Sequence, residues 1–223
     1  AGELAYLLEP DLKEARGGLR DIQALRAISL SAAITVPLEK ISWAEGTLNN
    51  VRESLHIASG RGKDRLLFQE QDKVAKLLDY PDADAMMSDV ARAARSVDYL
   101  LNYTWHALEH KGKDGLGRIL KRPRITTVAK NVSASNREIV IDQFTSLNDD
   151  PVCGLRAAAT AAQLGLPLSL DTCTELSENL KSGQGKLPSP WPREARELLI
   201  SLIGAGEAMV GIFESLDQEE IIF

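Results

Sequence analysis

The sequence predicts a mainly α protein: a helical bundle with one long spine helix, a small β-hairpin and a second helical cluster. Three observations predict it. Apolar residues recur at spacings of three and four through most of the 223 residues, which gives helices with one buried face. Residues 82–110 hold such a stripe without interruption, long enough to be a spine. Only residues 125–141, ITTVAKNVSASNREIVI, alternate with β-branched residues as strands do. The expected division is a bundle over 1–112 and a hairpin with its helical cluster over 113–223.

The first helix follows Gly17-Gly18, with Ile22, Leu25, Ile28 and Ala32 on one face. The second is expected to begin at Ser42-Trp43-Ala44-Glu45, a capping box in which serine takes the third amide and glutamate reaches back. Leu48, Val51, Leu55 and Ala58 form its apolar face, and Gly60 suits its left-handed C-terminal position. A third helix is expected over residues 64–78, ending before Asp79-Tyr80-Pro81. In the fourth, Met87, Val90, Ala94, Val97, Leu101, Trp105 and Leu108 form a near-heptad stripe. A helix of roughly 28 residues spans about 42 Å, so the shorter helices should pack along it.

After the glycine-rich, basic run KGKDGLGRILKRPR (111–124), the hairpin is expected to turn at Ser133-Ala134-Ser135-Asn136. Asn148-Asp149-Asp150-Pro151 then caps a helix with proline at its first position. Helices are expected near 151–165, 171–181 and 192–216.

The composition, 44% hydrophobic and 26% charged, is that of a globular protein. A net charge of −6 argues against sequence-independent nucleic-acid binding, which needs a basic face to displace counterions. No apolar run reaches the length of a membrane span, and the first residues lack a signal peptide's basic and apolar regions. Cys153 and Cys173 are too few and too far apart for a disulfide framework or zinc site, and buried thiols fit a reducing compartment. A cytoplasmic protein is expected. The opening AGELAYLLEP and the apolar stop Ile221-Ile222-Phe223 fit a piece of a longer chain.

Motifs for self-contained catalysis are weak. His106-Ala107-Leu108-Glu109-His110 matches the inverted zinc-protease pattern, but it ends a helix, where polar and cationic groups suit the dipole, and no third ligand stands out. Asp82-Ala83-Asp84 has the spacing of a Mg²⁺-binding carboxylate pair, yet it follows Tyr80-Pro81 at a helix start, where acidic residues cap. There is no phosphate-binding Walker loop, nucleophile elbow, dinucleotide fingerprint or His-Asp pair.

Two charged, glycine-bearing loops remain. The first holds Lys13, Arg16, Gly17, Gly18, Arg20 and Asp21; the second holds Arg61, Asp64 and Arg65 within SGRGKDR. Each sets amides and cations before an expected helix N-terminus, an arrangement suited to phosphate. The alternative is that Asp21 or Asp64 caps its helix and pairs with an arginine. Paired glycines call for positive φ or close backbone approach, since glycine costs about 1 kcal/mol in a helix interior.

The stretches LLEPDLKEARGGLRDIQALR (7–26) and LHIASGRGKDRLLFQEQDKVAKLL (55–78) resemble the bifunctional uridylyltransferase/uridylyl-removing enzymes of the PII nitrogen-signalling protein, in the helical region after their nucleotidyltransferase domain. The likeness continues through the long helix and more loosely through PWPREARELLISLIGAG and FESLDQEEII. Ala15-Arg16 stands where the family usually has Gly-Pro, which leaves the turn less constrained. Glutamine synthetase adenylyltransferases carry a similar glycine, glycine, arginine, aspartate run and are the alternative, with a non-catalytic interaction scaffold as a further one.

The resemblance implies transfer of a nucleotidyl group from UTP, or ATP in some lineages, to PII. It places Mg²⁺ on carboxylates of a preceding domain and the removal reaction in a following phosphohydrolase domain. This chain then carries no catalytic residue and no metal ligand, and is expected to be inactive alone. Lys13, Arg16 or Arg20 would face nucleotide phosphate, with Asp21 fixing Arg20 or capping. In the rival reading the glycines allow close packing and the bundle offers a face to PII.

Overall fold

The computed structural model describes residues 2–31, 33–112 and 125–221. It is mainly α, and the chain divides into two compact units, Ala1–Lys113 and Asp114–Phe223.

The first unit opens with a 3-10 turn at Leu4–Tyr6 and continues with α1 (Leu19–Leu30), a second 3-10 turn (Leu38–Ile41), α2 (Ser42–Ser59), α3 (Phe68–Leu77) and α4 (Ala83–Gly112). The 30-residue α4 is the spine, in contact with α1, α2, α3 and both 3-10 turns. Its buried row is Met86, Val90, Ala93, Ala94, Val97, Leu100, Leu101 and Thr104. The expected near-heptad stripe is therefore corrected at both ends: Met87 is half-buried and Trp105 is 50% exposed. A straight helix drifts about 20° per heptad, so a row with a period of seven rotates off the core. Ile22 and Leu25 of α1 and Leu48, Val51 and Leu55 of α2 complete the core.

Two local expectations are overturned. Ser42 already lies inside α2; its hydroxyl donates to the Glu39 carbonyl, while Glu45 is drawn to Arg26 at 2.6 Å. The capping box therefore does not form. The third helix begins at Phe68, not near 64, because residues 64–66 run extended against residues 10–12: Leu12 N donates to Asp64 O and Leu66 N to Pro10 O, each at 2.8 Å. Gly60 does close α2 in the left-handed region, with φ +63. Asp82 accepts from the Ala85 amide at 2.7 Å, a cap at the start of α4. The side chain of His110 lies outside the described residues, as does the glycine-rich basic run at 113–124.

The second unit holds a three-stranded antiparallel sheet, not a single hairpin: β1 (Thr126–Ala129), β2 (Val132–Ser135) and β3 (Glu138–Ile141), in that order. The expected turn at Ser133–Asn136 is largely the central strand. The chain reverses instead at Lys130-Asn131 and at Asn136-Arg137, whose φ values of +51 and +63 give the doubly positive two-residue turn that matches strand twist. Val132, Ile139 and Ile141 are buried with α5 (Cys153–Leu164), whose alanines 157, 158, 159, 161 and 162 let neighbouring elements approach closely. Helices α6 (Leu170–Lys181), α7 (Arg193–Ile203) and α8 (Glu207–Gln218) follow. The single helix expected over 192–216 is two, bent by 117° at Gly204-Ala205-Gly206. The bend buries Leu202, Ile212 and Leu216 in one core. Cys153 and Cys173 are buried and not joined in a disulfide, and burial pushes the Cys153 thiol up to about 11. No single helix among the described residues is long and apolar enough to cross a membrane.

Glu138, at the start of β3, carries a pH dependence. Burial first, and then the Asp171 carboxylate, push its pKa from 4.5 up to about 7. Folding thus favours its protonated form, so the associated stability is complete below pH 4.5 and is lost as pH rises through 7. Glu138→Gln is expected to stabilise the second unit at pH 8 by about 1–2 kcal/mol, after discounting for partial exposure, and to change nothing well below the unfolded value of 4.5, at about pH 3. Thermal melts at both pH values check it. An equal gain at both would remove ionisation as the cause.

Candidate functional site

The two charged loops lie together on the first unit. Residues 9–12 and 64–66 are joined by the paired backbone hydrogen bonds described above, and Arg65 bridges to Asp11 in the antiparallel sense. Glu9 reinforces the seam: its carboxylate accepts from the Phe68 amide at 3.1 Å, at the start of α3, and lies 3.3 Å from Arg65. Gln71 of α3 donates to the Leu8 carbonyl at 2.7 Å.

The glycine pair is a close-packing device. Gly17 has φ +84, and a Cβ there would stand 2.6 Å from the carbonyl oxygen of Ala94 on α4. At Gly18 a Cβ would meet the Ala15 carbonyl at 2.7 Å and the Leu12 carbonyl at 2.9 Å. All of these neighbours are backbone, which cannot yield as a flexible side chain can. Asp21 accepts from the Gly17 amide at 2.7 Å, a carboxylate at the α1 N-terminus where the dipole favours it. It does so instead of fixing Arg20, which pairs with Glu14 at 2.7 Å on an exposed surface.

Arg16 is clamped to the spine. Its Nε donates to Asp98 and its Nη2 to Asn102, while Asn102 donates to the other Asp98 oxygen. The bond to Asp98 holds the guanidinium charge still more firmly than usual. Lys13 is half-buried in the same turn, its amide donating to Asp11.

In the second loop Asp64 points inward, 2.6 Å from Arg52 Nε and 3.0 Å from His56 Nε2. Burial acts to push its carboxyl up, but the hydrogen bonds to Arg52 and His56 outweigh it and hold the group below the usual carboxylate range. Arg61 and Arg65 face outward and line, with Lys63, Ser59, Gln69 and Glu70, a cleft of about 420 Å³. Lys63, within the same SGRGKDR loop, stands two residues before Arg65 and so faces the same way. Among the described residues, no three His, Cys, Asp or Glu side chains converge as a metal site.

A family described as GlnD PII-uridylyltransferase matches residues 1–36 and 36–105. A bifunctional uridylyltransferase/uridylyl-removing enzyme of Streptomyces coelicolor is 41% identical over 99% of this chain. The chain belongs to the PII-uridylyltransferase family. Proteins of the same description from Mycobacterium tuberculosis and Corynebacterium glutamicum are 33% and 27% identical over 97% and 98% of the chain. The chain spans 27%, 28% and 30% of these three relatives' own lengths, so it corresponds to a segment of such a bifunctional enzyme. The PII-uridylyltransferase family match covers both charged loops and most of α4, whereas the second unit is covered by the alignments to whole relatives. No solved structure matches.

Proposed function

We propose that this chain is the helical segment of an enzyme that transfers a uridylyl group from UTP to the PII signalling protein and removes it again. The segment positions nucleotide or PII, while the catalytic carboxylates and their Mg²⁺ belong to other parts of the protein. The reading draws on the names of the relatives, and the observation that carries it is the seam uniting the two signature loops into one surface. Within it, Gly17, Gly18, Arg16, Asp21 and Asp64 hold the loops, and Lys13, Arg20, Arg61 and Arg65 supply positive charge around them. Neighbouring nucleotidyltransferase and phosphohydrolase domains are its partners along the chain, and the cytoplasm is its compartment.

The test is transfer of label from UTP to PII by the full-length protein. Labelling is expected, with none from the 223-residue chain alone. Adenylyl transfer from ATP to glutamine synthetase, with no label on PII, would instead support the alternative family. Arg20→Ala in the full-length protein separates the two roles: a large fall in transfer rate with unchanged folding places the first loop at the nucleotide, and an unchanged rate leaves it as scaffold.

A further inference from the structure

We propose that the cleft between the 59–65 loop and the start of α3 binds a polyphosphate chain through Arg61, Lys63 and Arg65. UTP as the donor rests on the reading above; the anion chemistry of the cleft does not.

The placement follows from the backbone. Residues 62–66 run without helix or turn, with an antiparallel bridge from Arg65 to Asp11, and side chains in an extended chain alternate between two sides. Asp64 turns in towards Arg52 and His56, and Leu66 is fully buried. Lys63 and Arg65 therefore fall on the opposite side, and Arg61, at the bend after Gly60, joins them in lining the cleft. Among the described residues neither Arg61 nor Lys63 has a carboxylate partner, and Arg65 has only Glu9, at 3.3 Å. Residues 64–66 are held from behind by the Leu12–Asp64 and Leu66–Pro10 hydrogen bonds, which fixes Arg65 and the approach of Lys63 beside it.

The remaining lining suits an anion with several acceptor oxygens. Ser59 and Gln69 add polar groups beside Ala58 and Leu67, and Lys73 reaches the Ala58 carbonyl from α3. Among the described residues, Glu70 is the sole carboxylate lining it, against three cations. Guanidinium groups take phosphate oxygens in pairs and ammonium groups take them as point charges, so one edge of two arginines and a lysine fits a di- or triphosphate better than a single carboxylate. By contrast, Arg16 and Arg20 of the first loop already have acidic partners.

Calorimetric titration of the 223-residue chain at low salt with UTP, inorganic tripolyphosphate, pyrophosphate and uridine tests the assignment. UTP and tripolyphosphate are expected to saturate one site and compete, uridine to give no heat, and the Arg61→Ala/Lys63→Ala double variant to lose at least about tenfold in affinity for both. Because both side chains are exposed, the variant should keep its circular dichroism and melting temperature. UTP binding more tightly than tripolyphosphate supports a nucleotide tail as occupant; pyrophosphate binding as well as UTP supports a released diphosphate. Unchanged affinity in the double variant, uridine binding as well as UTP, or no saturation by any polyphosphate overturns the assignment. Polyphosphate binding by the 223-residue chain that is lost in the double variant, together with a full-length protein that leaves PII unlabelled, keeps the cleft and removes the uridylyl-transfer reading. PII labelling with no polyphosphate binding does the reverse.

Discussion

Gly17→Ala is expected to destabilise the first unit by about 3 kcal/mol, combining roughly 1–2 for a left-handed non-glycine residue with 1–3 for overpacking. For a unit of this size that lowers its melting temperature by roughly 10–20 °C. The loss has two causes at one position, a backbone at φ +84 and a methyl group driven to 2.6 Å from the Ala94 carbonyl. Gly46→Ala is the matched control. It lies within α2 with nothing within 4 Å of its added Cβ, so the same substitution should stabilise by about 0.5–1 kcal/mol. Thermal unfolding of both variants, followed by calorimetry on the whole chain, decides. If Gly17→Ala melts with the parent, close approach to α4 is not what keeps glycine there.

Arg156→Ala should have an effect of similar size in the second unit, about 3–5 kcal/mol, the range for breaking a buried ion pair from one side. The Arg156 side chain is 6% exposed and sits between Asp150, at 2.8 Å, and Glu194, with a further bond to the Lys130 carbonyl. It ties the β1–β2 turn, the approach to α5 and the start of α7 together. Burial acts to push the Asp150 carboxyl up, but hydrogen bonds from Arg156 and Asn131 hold it below the usual range. Its contribution is therefore present above the usual carboxylate value and lost as pH falls through the lowered one. Without Arg156 the buried carboxylate keeps only the Asn131 amide, at 2.9 Å, and the exposed Lys130 ammonium, at 3.5 Å, so the deficit should be largest near neutral pH and shrink in acid as Asp150 takes a proton. Glu194, 54% exposed, can turn to water and limits the loss. A deficit below about 1 kcal/mol at neutral pH, or one independent of pH, would show that the network contributes little.

Helices were legible where a 3.6-residue period ran for several turns, as in α1, α2 and α4. Elements whose limits depend on distant partners were not. The start of α3 is delayed because residues 64–66 bond to residues 10–12, and nothing local to the DRLL run records that pairing. β2, VSAS, is small and polar enough to resemble a turn, yet Val132 and Ser133 are buried, with the Ser133 hydroxyl donating to Asp142 at 2.7 Å. The Ser42 box failed because both members found other partners. At the candidate site the glycine pair announced close backbone approach, but not its target. Ala94 lies far along the chain, and Arg16 reaches Asp98 across 82 positions. The Arg61 and Arg65 cations were visible as charge in a loop; their common side became apparent only with the extended backbone and the inward Asp64.

The alternation along residues 62–66 also restricts how this loop can vary. Surface loops ordinarily accept added or lost residues at small energetic cost, but an extended segment with one side facing a core reverses its facing with every single-residue change in register. One residue inserted between Lys63 and Asp64, with Leu66 held in the core, would bring Lys63 onto the inward side. Two inserted residues would restore the facing but lengthen the edge. Length drift in relatives should therefore fall outside this segment, in even steps if within it, making loop length a more sensitive marker of the cationic edge than the identity of any one basic residue.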